Sequence, residues 1–236
     1  MHWLQSLDVA LFHFINGALG NPFFDWLMPI LSGRGVPWLI AVVIAVPAII
    51  LFGSARLKIC AVLMVLVVAL GDPLIVGTIK DAVGRHRPCI DLPDTVKRLG
   101  CTLSGSMPSA HAANWFAMAM VMFLFYRRSV WFMFPLAASV AFSRVYCGVH
   151  YPSDVTVGAI LGSGYAIAFV ALAQILWSFI GKRAFPAWYA QLPNLLSAER
   201  GAGSGDRLSP PRFAQLPNLL KPEPSQSEIG NRKSNG

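Results

Sequence analysis

Long apolar stretches alternate with short polar loops over the first 183 residues of the chain. A helix needs about 20 apolar residues to cross the hydrocarbon core of a bilayer. Stretches near that length predict membrane spans at 36–52, 59–83, 108–126, 130–141 and 155–180, of which the fourth is short. We therefore predict an all-α, polytopic membrane bundle with about five spans, in which residues 1–183 form one domain.

Shorter helical patterns precede the first predicted span. In the segment 3–19, apolar side chains recur at helical spacing, but Asp8 and His13 interrupt them. This pattern favours an interfacial helix over a membrane span, and a second amphipathic piece follows at 23–31. No Lys or Arg precedes Arg34, so the N-terminus lacks the basic start of a secretory signal peptide.

The composition is 55% hydrophobic and only 13% charged, with a formal net charge of +8. That charge lies largely in short loops beside apolar stretches, which indicates membrane topology rather than a nucleic-acid partner. The basic loops 53–58, 126–129 and 181–183 fall on one side when five spans alternate. We predict that this side is cytoplasmic, and that the loops 84–107 and 143–154 face the other side of an inner (cytoplasmic) membrane.

The composition changes at Ala184 to Pro, Gly, Ser and mixed charge, which predicts a disordered cytoplasmic tail over residues 184–236. The tail contains the heptapeptide AQLPNLL twice, at 190–196 and at 214–220. A perfect repeat can be a docking motif or a local duplication without function. From the sequence we favour the duplication.

Three polar stretches meet at the predicted extracytoplasmic surface. They lie where the second span ends, where the third begins, and between the fourth and fifth. Their chemistry is that of a phosphate site, with three cations, two histidines, one carboxylate and the start of a helix. The residues are Lys80, Arg87, Ser109, Ala110, His111, Arg144, His150 and Asp154.

The two histidines can divide the work of phosphoryl transfer. Asp154 follows His150 by four residues, so a helix that begins near Pro152 lets the carboxylate orient the imidazole and make it a nucleophile. His111 has no carboxylate nearby in sequence and can carry the proton for the leaving oxygen. Because Lys80, Arg87 and Arg144 supply positive charge, we expect no metal and no cofactor.

These stretches resemble the three motifs of the type-2 phosphatidic acid phosphatase (PAP2) superfamily, which also includes vanadium haloperoxidases. The motif K-x6-R-P corresponds to 80–88, P-S-G-H to 108–111 and S-R-x5-H-x3-D to 143–154. Ala110 stands where the pattern has Gly, and its backbone N–H is retained. The resemblance covers roughly residues 3–180.

The resemblance implies a helical membrane phosphatase that forms a phosphohistidine on His150, with His111 as the acid. Lys80, Arg87, Arg144, Ser109 and the Ala110 amide would then surround the phosphate. It also implies lipid phosphates or isoprenyl diphosphates as substrates within the bilayer. Undecaprenyl diphosphate is our first expectation, followed by phosphatidylglycerol phosphate or phosphatidate. A lipid phosphotransferase and a non-catalytic lipid-binding scaffold are the alternatives, and the oligomeric state stays open.

Other residues carry weaker expectations. Asp72 lies in the middle of a predicted span and is expected to bridge helices or support the site. His86 is expected to be exposed in its loop. Cys89 and Cys101 share an outer loop, where either a disulfide or two free thiols can exist. Gly158 and Gly162 form a small-xxx-small face that internal packing explains better than dimerisation.

Overall fold

The structure is a computed structural model that describes residues 2–33, 37–191 and 193–196. This part of the chain is all-α, as predicted. The helices are α1 (His2–His13), α2 (Pro22–Leu31), α3 (Pro37–Phe52), α4 (Ala55–Gly71), α5 (Thr78–Val83), α6 (Pro88–Asp91), α7 (Ala110–Phe125), α8 (Val130–Tyr146), α9 (Pro152–Leu176), α10 (Lys182–Ala184) and α11 (Pro186–Gln191).

Helices α7 and α9 form the centre of the bundle, and α4 and α8 pack beside them. Their close approach depends on glycine. A Cβ atom added at Gly158 would lie 2.6 Å from the Ser109 carbonyl oxygen, and one at Gly162 would collide with the Ala113 backbone. The prediction that these glycines serve internal packing is confirmed. The contact also fixes the beginning of α7 against the beginning of α9, where the predicted site lies.

Two helical stretches, Ala55–Asp91 and Pro152–Ala184, are long and apolar enough to cross a bilayer, and Ala110–Phe125 is a shorter apolar helix. Helix α3 leaves large apolar side chains exposed, including Ile44 at 65% and Phe52 at 87%. Such a surface would be costly in water but suits contact with lipid. The membrane bundle is therefore confirmed, and the count of five crossings stays a prediction.

The N-terminal helices α1 and α2 pack against α9 and α8 at the end that carries the site. Helix α1 continues through a π-helical turn at Phe14–Ala18, and α2 begins after Asn21, whose side chain accepts the Phe24 N–H at 2.9 Å. Leu4, Leu7 and Leu11 are exposed on one face of α1. That unpaired apolar face agrees with the interfacial placement, which stays a prediction.

The second predicted span is interrupted in its middle. A π-helical turn at Asp72–Gly77 separates α4 from α5, at the place where Pro73 cannot donate a helical hydrogen bond. Asp72 accepts a hydrogen bond from the Asn114 side-chain amide at 3.1 Å, which joins this turn to α7. The prediction that Asp72 bridges helices is confirmed.

Helix α8, which corresponds to the fourth predicted span, is longer than predicted. We placed its end at Ala141 and assigned 143–154 to a loop, but α8 continues to Tyr146 and the connection is short. The apolar run ends before the helix does. The Ser143 hydroxyl donates to the Val140 carbonyl at 2.7 Å, so this polar side chain finds its partner within the helix. Arg144 therefore projects from the last turn of a helix and not from a loop.

The predicted tail also differs at its beginning. Residues 186–191 form α11, and Leu195 and Leu196 are buried at 2% and 4% exposure. The apolar side chains of this segment find a place on the bundle, so ordered structure extends past Ala184. The second copy of the heptapeptide, at 214–220, lies outside the described residues.

Candidate active site

His150 lies in the short connection between α8 and α9 and is 1% exposed. Helix α9 begins at Pro152, as the sequence predicted, so Asp154 sits in its first turn. The Asp154 Oδ2 atom is 3.5 Å from His150 Nδ1. On the other side of the ring, Arg87 Nη1 is 3.2 Å from Nε2. The carboxylate favours a proton on Nδ1, so the lone pair is on Nε2 and faces Arg87 Nη1. A nucleophilic imidazole uses the same tautomer.

Asp154 is itself held from three directions. Its Oδ2 atom accepts the Tyr151 N–H at 2.8 Å, which caps α9, and also accepts the Ser106 hydroxyl. Its Oδ1 atom accepts Arg85 Nη1 at 2.7 Å. A carboxylate with this many donors stays ionised and has one orientation. Ser106 is fully buried. It was not predicted as a site residue because it lies outside the three motifs.

Arg87 is fixed by the loop that follows α6. Its Nε donates to the Ser104 carbonyl at 3.0 Å, and its Nη1 donates to the Val149 carbonyl at 3.1 Å. Lys80 reaches the same loop, because a Cβ atom added at Gly105 would lie 2.8 Å from Lys80 Cγ. The Gly105 carbonyl in turn accepts Arg87 Nη2 at 3.4 Å. Lys80 and Arg87 therefore lie beside the same loop residue, Gly105.

The beginning of α7 adds an anion-binding element. Ser109 is the N-cap residue, and its N–H donates to the Asp154 carbonyl oxygen at 3.0 Å. Ala110 and His111 open the helix, where the first N–H groups have no partner inside the helix and favour negative charge. The Ser109 hydroxyl oxygen is buried and has no hydrogen-bond partner in the described part of the chain.

A cavity of about 600 Å³ opens beside His111 and Arg144. Ser32 and Gly33 form one wall, and residues 97–100 form another. Arg144 donates from Nη1 to the Ser32 carbonyl at 3.1 Å, while its buried Nε lacks a partner among the described residues. The Arg144 Nε and the Ser109 hydroxyl are donors suited to a phosphoryl group. The structure thus brings together the three polar stretches that the sequence placed at one surface.

Burial is the main influence on the protonation of His150. It lowers the pKa of His150 to about 4, although Asp154 acts in the opposite direction by favouring the imidazolium. The ring is therefore neutral at physiological pH. A neutral imidazole is the form that can attack phosphorus.

A charged network behind His150 and Asp154 was not predicted from the sequence. Arg85 bridges two carboxylates, with Nη1 on Asp154 and Nη2 on Asp8 Oδ2, both at 2.7 Å. Asp8 also accepts the Ser153 N–H at 2.9 Å and the Ser153 hydroxyl at 2.5 Å. The Arg85 guanidinium lies 4.0 Å from the centre of the Tyr151 ring. Helix α1 is thereby joined to the first turn of α9 through Arg85.

Arg98 likewise joins separate segments, at the wall of the cavity that residues 97–100 form. Its Nε donates to Asp25 Oδ1 at 2.5 Å, and its Nη1 donates to the Asn16 carbonyl at 2.7 Å. Hydrogen bonds from Tyr146 and Arg98 hold the pKa of Asp25 below its usual value. Because these donors are occupied, Arg98 supports the cavity wall. Among the other predictions, His86 is exposed and contacts Asp91, and Cys89 and Cys101 form the disulfide.

Replacing Arg85 by alanine is expected to lower kcat about 10- to 100-fold, which is typical when the partner that orients a reacting group is lost. Asp154 would keep its other donors but lose the one that fixes Oδ1. Asp8→Asn should give a smaller loss of the same kind, because it removes only the outer charge. Steady-state kinetics of both single variants and of the double variant measure this. If Asp8 acts through Arg85, the double variant loses no more than Arg85→Ala alone.

A family model described as the PAP2 superfamily matches residues 57–179, and the chain belongs to this family. The match contains all three polar stretches of the site. The protein is 28% identical over 182 residues to a protein named lipid A 4'-phosphatase from Bacteroides thetaiotaomicron, with coverage of 72% of this chain and 80% of that protein.

Two further relatives define the extent of the similarity. The protein named bacitracin transport permease protein BcrC from Bacillus licheniformis is 38% identical over 77 residues, which span only 38% of its length and 33% of this chain. The crystal structure of Aquifex aeolicus LpxE superposes with a TM-score of 0.56 and 25% identity. That comparison covers 70% of this chain and 94% of LpxE. The chain thus shares the membrane phosphatase fold of its relatives.

Proposed function

We propose that the protein hydrolyses a lipid-linked phosphate or diphosphate at the membrane, through a phosphohistidine formed on His150. The observation that carries this proposal is the environment of His150. A buried, neutral ring has Asp154 on Nδ1 and Arg87 on Nε2. The Ser109 hydroxyl and the Arg144 Nε, which have no partner among the described residues, belong to the same site. This arrangement combines a nucleophile with a receptor for the phosphoryl oxygens.

The reaction has two steps. In the first, His150 Nε2 attacks phosphorus, the bond from phosphorus to the lipid oxygen breaks, and His111 gives its proton to that oxygen. In the second, neutral His111 takes a proton from water, the hydroxide attacks phosphorus, and the P–N bond breaks to release phosphate. Lys80, Arg87 and Arg144 stabilise the charge on the equatorial oxygens in both transition states.

The first test is phosphate release from a panel of lipid phosphates in detergent, by wild type and by His150→Ala, with and without EDTA. We expect release by wild type only, unaffected by EDTA, since protein cations surround the phosphate. Equal release by both proteins would contradict the role of His150. Adding a lipid or glycan acceptor to the same assay distinguishes hydrolysis from phosphotransfer, because a transferase would give a phosphorylated acceptor.

Among these substrates we place undecaprenyl diphosphate first, and phosphatidylglycerol phosphate or phosphatidate next. The cavity beside His111 also contains Lys97. A diphosphate substrate carries a second phosphate next to the leaving oxygen, where this cation would attract it. The order of the substrates rests on that charge and on the family.

Replacing Lys97 by glutamine is expected to lower kcat/KM for undecaprenyl diphosphate about threefold, as exposed charge pairs are worth up to about 1 kcal/mol. The same change should leave the hydrolysis of phosphatidate unaltered, because a monoester has no second phosphate. Competition assays with both substrates in one mixture measure the ratio directly. An equal loss for both substrates would show that Lys97 does not distinguish them.

The acidic limb of the pH profile should report the pKa of His150. Because burial lowers this pKa to about 4, protonation of His150 should reduce kcat/KM only as the pH falls towards 4. An unperturbed imidazole would lose activity below about pH 6.5. A phosphate monoester has its own ionisation near pH 6. The kcat/KM profile must therefore be corrected for the ionisation of the substrate, which a ³¹P NMR titration measures. A corrected limb at 6.5 would contradict a buried neutral nucleophile.

We also propose that the site faces the extracytoplasmic side of the inner membrane, with the tail on the cytoplasmic side. The basic loops on the opposite end of the bundle support this orientation. The disulfide between Cys89 and Cys101 supports it independently, because such bonds persist in oxidising compartments. Labelling of single cysteines introduced at Ser54 and at Gly100 by an impermeant maleimide in intact cells tests it. Only the cysteine at position 100 should react.

A further inference from the structure

The end of α9 opposite the candidate site carries a surface that binds the first heptapeptide copy. Gln174 and Trp177, near the end of α9, form this surface, which we call the Gln174 surface. The Leu195 N–H donates to Gln174 Oε1 at 2.8 Å. Leu195 and Leu196 are both almost fully buried in the main apolar core. The Tyr189 ring lies 6.2 Å from the Trp177 ring.

Three features of the first copy and of Tyr189, the residue before it, make these contacts. An aromatic ring contacts Trp177, two leucines enter the core, and the Asn194 side chain accepts the Leu196 N–H at 2.9 Å to form the turn between them. Gln174 accepts a hydrogen bond from a backbone N–H, which any residue except proline can supply. The contacts therefore depend on an aromatic residue, an asparagine and two leucines at fixed spacing.

The second copy repeats every one of these features. Phe213 precedes its AQLPNLL heptapeptide, as Tyr189 precedes the first, so the similarity extends over eight positions. Asn218, Leu219 and Leu220 stand at the spacing of the residues that contact the bundle. Residues 213–220 lie outside the described part of the chain. A segment with the same side chains at the same spacing can make the same contacts.

We propose that residues 213–220 are a second ligand for the Gln174 surface of the same chain and exchange with residues 189–196. The first copy is favoured as the ligand, because α10 and α11 connect it directly to the end of α9. The second copy is joined to the same chain by residues 197–212, and such tethering gives an effective concentration on the order of millimolar. It therefore occupies the surface when the first copy is absent. This inference does not depend on the proposed function.

The consequence is that one copy compensates for loss of the other. Without either copy, the core residues beneath Leu195 and Leu196 would be uncovered at this end of the bundle. Exposure of that apolar surface lowers stability, since burial contributes roughly 25 cal/mol per Å². Changing the leucines of one copy should therefore lower the stability of the protein only slightly. Changing the leucines of both copies should lower it by clearly more than the sum of the two separate changes.

The test uses the full-length protein with p-benzoylphenylalanine in place of Phe213, irradiated in detergent and analysed by mass spectrometry. In a Leu195→Asp/Leu196→Asp background, we expect cross-links from position 213 to the end of α9, with a yield several-fold above that in the wild-type background. Adding Leu219→Asp/Leu220→Asp should abolish them. Mixing ¹⁵N-labelled and unlabelled protein identifies whether each cross-link joins residues of one chain.

The controls separate the proposal from misfolding. Phosphate release and a monodisperse elution profile should persist in the Leu195→Asp/Leu196→Asp variant, because the site lies at the other end of α9. Thermal unfolding of the two double variants and of the quadruple variant should be non-additive. Cross-links that are absent from the α9 end, or that join only labelled to unlabelled chains, would overturn the proposal. So would additive shifts in Tm.

Discussion

Replacing His150 by alanine is expected to lower kcat by at least about 10⁴-fold, a loss of the size seen when a covalent nucleophile is removed. The prediction follows from the position of the ring between Asp154 and Arg87, which no other described nucleophilic side chain shares. Cations and the beginning of α7 would still bind phosphate. Substrate affinity should therefore change much less than kcat.

The covalent intermediate itself provides a sharper measurement. Wild type mixed with ³²P-labelled substrate and denatured rapidly in base should retain label, because phosphohistidine survives base and is lost in acid. His150→Ala should retain none. Asp154→Asn is the matched control, since it keeps His150 but weakens its orientation, and should form the same labelled enzyme slowly. Label on the His150→Ala protein would contradict the assignment of the nucleophile.

The motif residues could be predicted from sequence because their geometry is mostly local. His150 and Asp154 meet because a helix begins between them, and Pro152 is a strong signal for that beginning. The convergence of Lys80, Arg87, His111 and Arg144 followed from alternation of the spans. Both arguments require only helix direction and spacing, which hydrophobic patterns give reliably.

Asp8 and Arg85 could not be paired from sequence because their contact is long-range. They are 77 residues apart, and the distance is closed by the packing of α1 against α9. Each had a signal of its own, a carboxylate in an apolar segment and an additional arginine in the first motif. Only the three-dimensional packing shows that the two signals belong to one network.

The end of α8 and the ordered residues after Ala184 differ from the predicted boundaries for a different physical reason. Hydrophobic pattern marks where a chain leaves the hydrocarbon region, while a helix ends where its backbone loses hydrogen bonds. At Ser143 and Arg144 the polar side chains point to partners inside the protein, so the helix continues. Similarly, Leu195 and Leu196 are two apolar residues in a polar segment. A short apolar pair can dock on a bundle without any periodic signal.

Replacing His111 by asparagine is expected to lower the hydrolysis of a lipid phosphate monoester about 10²- to 10⁴-fold, the usual contribution of a general acid. The loss depends on the leaving group. An alkoxide needs a proton as it departs, so phosphatidate should show the full effect. The leaving group of undecaprenyl diphosphate is a phosphate whose second pKa is near 6, and it departs with little assistance. The first step with the diphosphate should therefore be much less impaired.

The same variant should separate the two steps of the reaction. With p-nitrophenyl phosphate, whose leaving group also needs no proton, phosphorylation of His150 should proceed in His111→Asn. Attack by water would still lack its base, because the His111 ring that lines the cavity is gone. Stopped-flow absorbance should then show a burst of p-nitrophenol equal to the enzyme concentration, followed by slow turnover. If both phases slow equally and no burst appears, His111 acts on the first step regardless of the leaving group, and its role is to position the phosphate.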